Sequence, residues 1–74
     1  MNEMSILGKD GDIKVEWNPD SKKEVEIAEK AFNDNTNKGF RAFRMYDGGK
    51  PGEAMKKFDK FAEKVVFLPP LAGG

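Results

Sequence analysis

The sequence predicts one small α+β domain, in which a single helix packs across one face of a mixed β-sheet. Three observations support this prediction. Apolar and charged residues alternate over 13–17, apolar residues recur at helical spacing over 21–36, and strand-like apolar runs occupy 40–46 and 64–68. Elements with one apolar face bury that face by packing in two layers. We therefore expect about four strands and the order strand, strand, helix, strand, short helix, strand.

Length and composition limit the chemistry of this domain. The 74 residues include no cysteine and no histidine, and 13 basic residues balance 13 acidic residues. These absences exclude disulfides, zinc sites with cysteine or histidine ligands, thiol nucleophiles and imidazole acid–base catalysis. The net charge of zero argues against a general nucleic-acid binder, because such proteins carry a basic excess.

The sequence also predicts a cytoplasmic protein. No stretch approaches the roughly 20 consecutive apolar residues that span a bilayer. The N-terminus, Met1–Met4, has no basic region followed by an apolar run, so it does not resemble a secretory signal. The absence of cysteine fits a reducing compartment, and we expect no membrane partner.

The first 17 residues predict a β-hairpin. Met4–Leu7 is apolar, Lys9–Asp12 contains an Asp-Gly turn signal, and the following five residues alternate strictly between apolar and charged. The alternation predicts three side chains on the buried face: Ile13, Val15 and Trp17.

A helix is predicted from residue 21 to about residue 36. Ser21 and Glu24 match a capping box, in which the serine hydroxyl and the glutamate carboxylate each bind a free backbone N–H. Gly39 is a natural C-terminal stop. The predicted apolar stripe comprises Val25, Ala28 and Phe32, widened by Ile27 and Ala31.

The second half of the chain is predicted to alternate between strands and irregular segments. Phe40–Tyr46 has the composition of an aromatic strand, and Asp47–Gly52 that of a loop. Apolar residues over Glu53–Lys64 have mixed helical spacing, which favours a short helix or turn followed by an irregular segment. Lys64–Leu68 is the predicted last strand, and Pro69–Pro70 ends it.

Three features invite a binding interpretation, and each has a simpler one. Asp10 and Asp12 are explained as turn formers, since a calcium loop needs more oxygen ligands and a final bidentate glutamate. Asp47–Lys50 lacks the ending of a phosphate-binding loop, which favours a surface connection. Arg41 and Arg44 could pair with single-stranded RNA, but arginines that face water explain the pattern equally well.

The C-terminal ten residues carry the clearest functional signal. Pro69 and Pro70 have no N–H donors and favour an extended backbone, so we expect them to lift the chain off the sheet. The last three residues are small: Ala72, Gly73 and Gly74. An extended segment of such residues can enter a narrow tunnel, and a glycyl carbonyl leaves room there for an attacking nucleophile. Chance also places glycines at a chain end, but it does not supply the strand and the prolines before them.

This ending, Phe67–Gly74 or FLPPLAGG, resembles the tails of sulfur-carrier proteins, especially the small subunit of molybdopterin synthase, and of the wider ubiquitin-like superfamily. The predicted order of strands and helix is similar to that of the β-grasp fold. The resemblance therefore implies a β-grasp domain over 1–68 and an extended tail over 69–74.

The resemblance implies a protein that is a substrate and not itself an enzyme. An activating enzyme of the ubiquitin type would adenylate the Gly74 carboxylate, using ATP and magnesium that belong to the enzyme, so the chain itself needs no cofactor. A sulfur carrier then becomes a thiocarboxylate and delivers sulfur to an acceptor. A modifier instead passes to a cysteine thioester and finally to a lysine of a target protein. Both possibilities remain open, because carriers and modifiers share this tail.

The resemblance also implies an apolar patch on the sheet beside the tail, by which the activating enzyme holds the chain. The activated residues would be Gly73 and Gly74. The residues expected to contact the partner are Phe43, Arg44, Phe67, Leu68 and Leu71. The alternative from another functional class is a protein-interaction module whose C-terminus has no chemical role. Deletion of the two glycines distinguishes these functions, since only the interaction module keeps its partner.

Overall fold

The computed structural model describes residues 1–8, 11–46 and 51–70. Five strands and one helix lie within these ranges: β1 (Asn2–Gly8), β2 (Gly11–Trp17), α1 (Lys22–Asn37), β3 (Arg41–Met45), β4 (Pro51–Met55) and β5 (Lys64–Leu68). The strands form one sheet in the order β2-β1-β5-β3-β4, in which β1 and β5 are parallel and the other neighbours antiparallel. This arrangement confirms the predicted α+β class and is compatible with a β-grasp fold.

The predicted hairpin is present, and its paired strands are longer than expected. The register pairs Asn2 with Trp17 and Gly8 with Gly11, so residues 9–10 connect the strands and lie outside the described residues. Asp12, predicted to be a turn residue, belongs to β2 and lies opposite Leu7. The strands therefore extend further toward the turn than their apolar residues alone indicate.

Both ends of α1 are capped as the sequence predicts, with one difference. Ser21 Oγ accepts a hydrogen bond from the Glu24 backbone N–H at 3.3 Å. The Glu24 carboxylate accepts from the Asn18 N–H at 2.9 Å, because the Ser21 N–H already donates to the Asn18 carbonyl. At the other end Gly39 has a φ of 93°, a left-handed conformation that glycine adopts without steric cost.

The core lies between α1 and one face of the sheet. Phe32 of the helix packs edge-on against Phe67 of β5, with ring centroids 5.2 Å apart, so an aromatic contact joins the two layers directly. The buried hydrophobic side chains of the described residues are Met4, Ile6, Trp17, Ala28, Phe32, Ala42, Ala62, Val65 and Phe67.

Two side chains predicted to be buried are exposed instead. Ile13 is 62% exposed and lies in the half of β2 nearer the connection to β1, where it pairs with Ile6. Ile27 is 57% exposed, since it stands about 100° around the helix from the buried Ala28. Trp17, at the other end of the same alternating run as Ile13, is buried as predicted.

The fourth strand is the main departure from the sequence prediction. Pro51–Met55 forms β4, where the sequence predicted the end of a loop and the start of a short helix. The register places Met55 opposite Ala42 and Ala54 opposite Phe43. Pairing with β4 satisfies backbone groups along the outer edge of β3, and this long-range interaction overrides the local helical spacing. The sheet therefore has five strands where the sequence predicted about four.

The segment between β4 and β5 closes one end of the core. Phe58 packs against Trp17 and Phe32 at ring-centroid distances of 5.2 and 5.8 Å. The Lys60 carbonyl accepts hydrogen bonds from Trp17 Nε1 at 2.9 Å and from Asn2 Nδ2 at 2.8 Å. Two buried donors are thereby satisfied by one carbonyl, and the segment is held by tertiary contacts.

Candidate functional site

The face of the sheet that points away from α1 carries an apolar depression of about 300 Å³. Successive residues of a strand point to opposite faces, so the neighbours of buried Ala42, Val65 and Phe67 point outward. The depression, called here the open-face depression, is lined by four side chains of β3 and β5: Phe43, Met45, Val66 and Leu68.

Cross-strand pairing positions this lining. Phe43 lies directly opposite Val66 in the register of β3 and β5, so their side chains share one face of the sheet. Leu68 is the last residue of β5 and is 41% exposed, whereas the other three lining residues are half-buried. The open-face depression therefore reaches the end of the strand at which the predicted tail begins.

Charged side chains border the open-face depression on the side of β1. Glu3 lies opposite Lys64 of β5, and Ser5 lies opposite Val66. The Glu3 carboxylate also forms an ion pair with Lys14 Nζ of β2 at 3.2 Å. The border along this part of β1 is thus polar, and a polar rim beside an apolar centre is common in protein–protein contact sites.

The chain leaves the sheet immediately beside the open-face depression. Leu68 is the last paired residue of β5 and lies opposite Arg41. Pro69 and Pro70 follow, and both are exposed. Because proline has no N–H to donate, the strand pairing does not continue past Leu68.

The predicted partner-contact residues of β5 occupy different places. Leu68 lines the open-face depression, but Phe67 does not, since its side chain is 0% exposed in the core. The apolar lining from this strand is Val66 and Leu68, and Val66 was not among the predicted contacts. Leu71, Gly73 and Gly74 lie outside the described residues, so their roles remain predictions.

The two residues of β3 that were predicted to contact the partner also lie on different faces of the sheet. Phe43 lines the open-face depression, whereas Arg44 points to the opposite face and donates through Nη2 to Asp59 Oδ2 at 2.5 Å. The Phe61 backbone N–H also donates to Asp59 Oδ1, at 2.9 Å. This N–H and Arg44 lower the pKa of Asp59 below its ordinary value, and the Asp59 carboxylate raises the pKa of Arg44. Arg44 therefore links β3 to the segment before β5.

The features that invited other binding interpretations are only partly described. Asp12 is exposed on β2 and Arg41 is exposed at the start of β3. Asp10 and the segment 47–50 lie outside the described residues. Over residues 1–8, 11–46 and 51–70, no group of three or more acidic side chains is placed to hold a metal ion.

A second cavity, of about 520 Å³, opens beside the Arg44–Asp59 ion pair. It is bordered by Phe61, which is 67% exposed, and the Lys60 ammonium lies 5.2 Å from the centroid of that ring. Met45 lines both this cavity and the open-face depression. The remaining lining residues of the second cavity are Arg44, Tyr46, Ala62 and Glu63.

No relative identifies this chain. No protein-family model matches it, and no curated protein or solved structure is significantly similar to it. In the described part of the chain, α1 is too short and too polar to cross a bilayer. The features that bear on function are therefore the open-face depression, the end of β5 and the sequence of the tail.

Proposed function

We propose that this chain is a ubiquitin-like protein, either a modifier or a sulfur carrier, whose Gly74 carboxylate is adenylated by an activating enzyme. The observation that carries the proposal is the position of the open-face depression at the end of β5, where the tail begins. A partner that covers this depression is also in reach of the tail. Sheet topology compatible with a β-grasp fold supports the same function.

The geometry limits where the activating enzyme performs its chemistry. Gly74 lies six positions after Leu68, and an extended chain spans at most about 3.3–3.6 Å per residue. The nucleotide site of the enzyme therefore lies within about 20 Å of the surface that covers Leu68. Small residues at the end of the tail allow it to pass through a narrow entrance.

The proposed reaction begins at the terminal carboxylate. One carboxylate oxygen of Gly74 attacks the α-phosphorus of ATP, and pyrophosphate leaves, which gives an acyl adenylate. In a sulfur carrier a hydrosulfide ion then attacks the carbonyl carbon, AMP leaves, and loss of the proton gives a thiocarboxylate. In a modifier a cysteine thiolate displaces AMP, and a target lysine amine later displaces that thiolate. The described residues of the chain contribute binding and orientation to these steps.

The open-face depression contributes binding through the hydrophobic effect. Covering its apolar lining removes hydrocarbon surface from water, worth about 25 cal/mol for each Å² buried. The charged border of Glu3, Lys14 and Lys64 favours one orientation of the partner, since charges at an interface rim discourage misaligned complexes. We place these events in the cytoplasm, where ATP is available, without a nucleic-acid or membrane partner.

The first test is the intact mass of the protein recovered from its own host. The proposal makes Gly74 the last residue of the mature protein, and the measured mass checks this. A species with one oxygen replaced by sulfur identifies a sulfur carrier, whereas a cross-link from Gly74 to a lysine identifies a modifier. Unmodified protein alone, together with no ATP–pyrophosphate exchange by the host's adenylating enzymes, would contradict the proposal.

A protein-interaction module is the second candidate, and the apolar open-face depression supports it equally, because a partner can cover this depression whatever the tail does. Deletion of Gly73 and Gly74 separates the two functions. The carrier or modifier loses adenylation while its fold remains intact. An interaction module retains its partner after the deletion and loses it when Leu68 is replaced by lysine.

A further inference from the structure

Pro70, the second residue of the tail, lies beside Gly39 in the turn that ends α1. A Cβ atom placed on Gly39 would lie 3.6 Å from Pro70 Cβ and 3.8 Å from Pro70 Cγ, which are ordinary van der Waals distances. The proline ring therefore lies on the side of Gly39 on which other residues carry a side chain, at the distance where an added Cβ would touch it. This contact joins two segments that are 31 positions apart in the sequence (70 minus 39).

The backbone beneath the proline ring is held by hydrogen bonds. The Gly39 N–H donates to the Thr36 carbonyl, and the Phe40 N–H donates to the Asn35 carbonyl, both at 3.0 Å. With the φ of 93° at Gly39, these bonds form the Schellman arrangement that commonly ends helices. These hydrogen bonds therefore fix the backbone conformation of the turn beside the proline ring.

The register of β3 and β5 also leads to this contact. Arg41 lies opposite Leu68 in the antiparallel pair. Because the strands are antiparallel, the position two residues before Arg41 falls opposite the position two residues after Leu68. These two positions are Gly39 and Pro70. The contact therefore continues the alignment of the two strands beyond the last hydrogen-bonded pair, although proline cannot donate a ladder hydrogen bond.

We propose that the contact between Pro70 and Gly39 sets the direction in which the chain leaves the sheet, and so presents the tail to the activating enzyme. Pro70 is suited to this role because its side chain loses almost no rotamer entropy on contact. Gly39 is suited because its positive φ, which L residues rarely adopt, sets the turn beside which the ring lies. The presentation step rests on the proposed function, whereas the contact itself does not.

The contact is tested by NMR on the full chain, with Pro69→Ala as the matched control for Pro70→Ala. Both variants lose one exposed proline ring, and both should keep a thermal midpoint within about 2 °C of the parent. We expect nuclear Overhauser effects between the Gly39 Hα and the Pro70 ring protons in the parent. We also expect the ¹⁵N heteronuclear Overhauser value of the Leu71 amide to fall in Pro70→Ala more than in Pro69→Ala. Absence of the ring contacts in the parent, or equal changes in the two variants, would overturn the proposal.

The presentation step is tested by ATP–pyrophosphate exchange with the host's adenylating enzyme. Pro70→Ala should lower kcat by roughly tenfold with little change in KM, because bound chains present the carboxylate less often in the reactive position. Pro69→Ala should stay close to the parent. Equal kcat values for the two variants would overturn the presentation role. No exchange with the parent would overturn the proposed function and this step together, while the NMR result would still decide whether the contact exists.

Discussion

The two faces of β5 are both apolar in sequence, and they differ strongly in exposure. Toward α1, Val65 and Phe67 are 0% exposed, whereas on the other face Leu68 is 41% exposed. The cause is that α1 and the segment before β5 cover one face only. Apolar composition therefore does not distinguish a core residue from a contact residue in a central strand. The covering layer makes that distinction.

The largest expected effect comes from the covered face. Phe67→Ala should lower the free energy of unfolding by about 3–5 kcal/mol, because it removes a buried ring and leaves a cavity against Phe32. A chain of this length has roughly 4–10 kcal/mol in total, so this loss removes a large part of the stability. Urea denaturation followed by circular dichroism measures this. A loss below about 1 kcal/mol would contradict the core position of Phe67.

The next largest effect concerns the segment that closes the core. Trp17→Phe should cost about 1–3 kcal/mol, since it removes the Nε1 donor to the Lys60 carbonyl and some of the packing against Phe58. Asn2 still donates to the same carbonyl and limits the loss. Amide hydrogen exchange should show the largest loss of protection near residues 58–62. A uniform loss of amide protection across the sheet would show that the segment between β4 and β5 does not open separately from the sheet.

The uncovered face is tested with matched substitutions of two exposed apolar residues. Leu68→Lys should raise the KM for adenylation by about tenfold, which corresponds to about 1.4 kcal/mol, because it places a charge in the open-face depression. Ile27→Lys on the helix should leave KM unchanged. Both variants should retain stability to within about 1 kcal/mol, as measured by thermal denaturation. Equal KM values would contradict a role for the open-face depression.

A smaller effect is expected from acid. The pKa of Asp59 is lowered in the folded protein, so the unfolded chain binds a proton more readily and the carboxylate stabilises the fold at neutral pH. This contribution is complete above the unfolded pKa of about 3.9 and is lost as the pH falls through the lower folded value. Partial exposure of the Arg44–Asp59 pair limits it to about 1 kcal/mol or less. Thermal melts of the parent and Asp59→Asn should therefore converge as the pH falls through the lowered folded-state pKa of Asp59, and a constant difference would contradict this account.

The smallest expected effect is at the surface of α1. Lys30 and Asp34 form an exposed ion pair at 3.0 Å. Lys30→Ala should change stability by less than about 0.5 kcal/mol, and the difference should disappear in high salt. Chemical denaturation at two salt concentrations measures it. A salt-independent loss of more than about 1 kcal/mol would indicate a contact beyond this pair.

Elements that local interactions specify were predicted closely. Ser21 and Gly39 act on backbone groups within a few residues, and the predicted helix agrees with α1 to within a residue at each end. The last strand agrees with β5, since two prolines end it. Phe43 and Leu68 were assigned to an apolar patch through the family resemblance, and both line the open-face depression.

Features that depend on distant partners were not predicted. β4 forms because its backbone pairs with β3, and the spacing of its side chains alone suggested a helix. Phe67 was assigned to the surface because a central strand is apolar on both faces and its sequence does not show which face is covered. Arg44 was assigned to a partner because its ion pair with Asp59 spans 15 positions of sequence.

The amino-acid order alone therefore determined the α+β class, the helix with its caps, the hairpin, the last strand and the sequence of the tail. Tertiary structure decided which face of β5 is buried, where β4 pairs, and which apolar residues line the open-face depression. The physical reason is that capping bonds, prolines and the Asp-Gly turn signal act within a short segment, whereas the burial of one face and the pairing of β4 depend on contacts with other segments that only folding brings together.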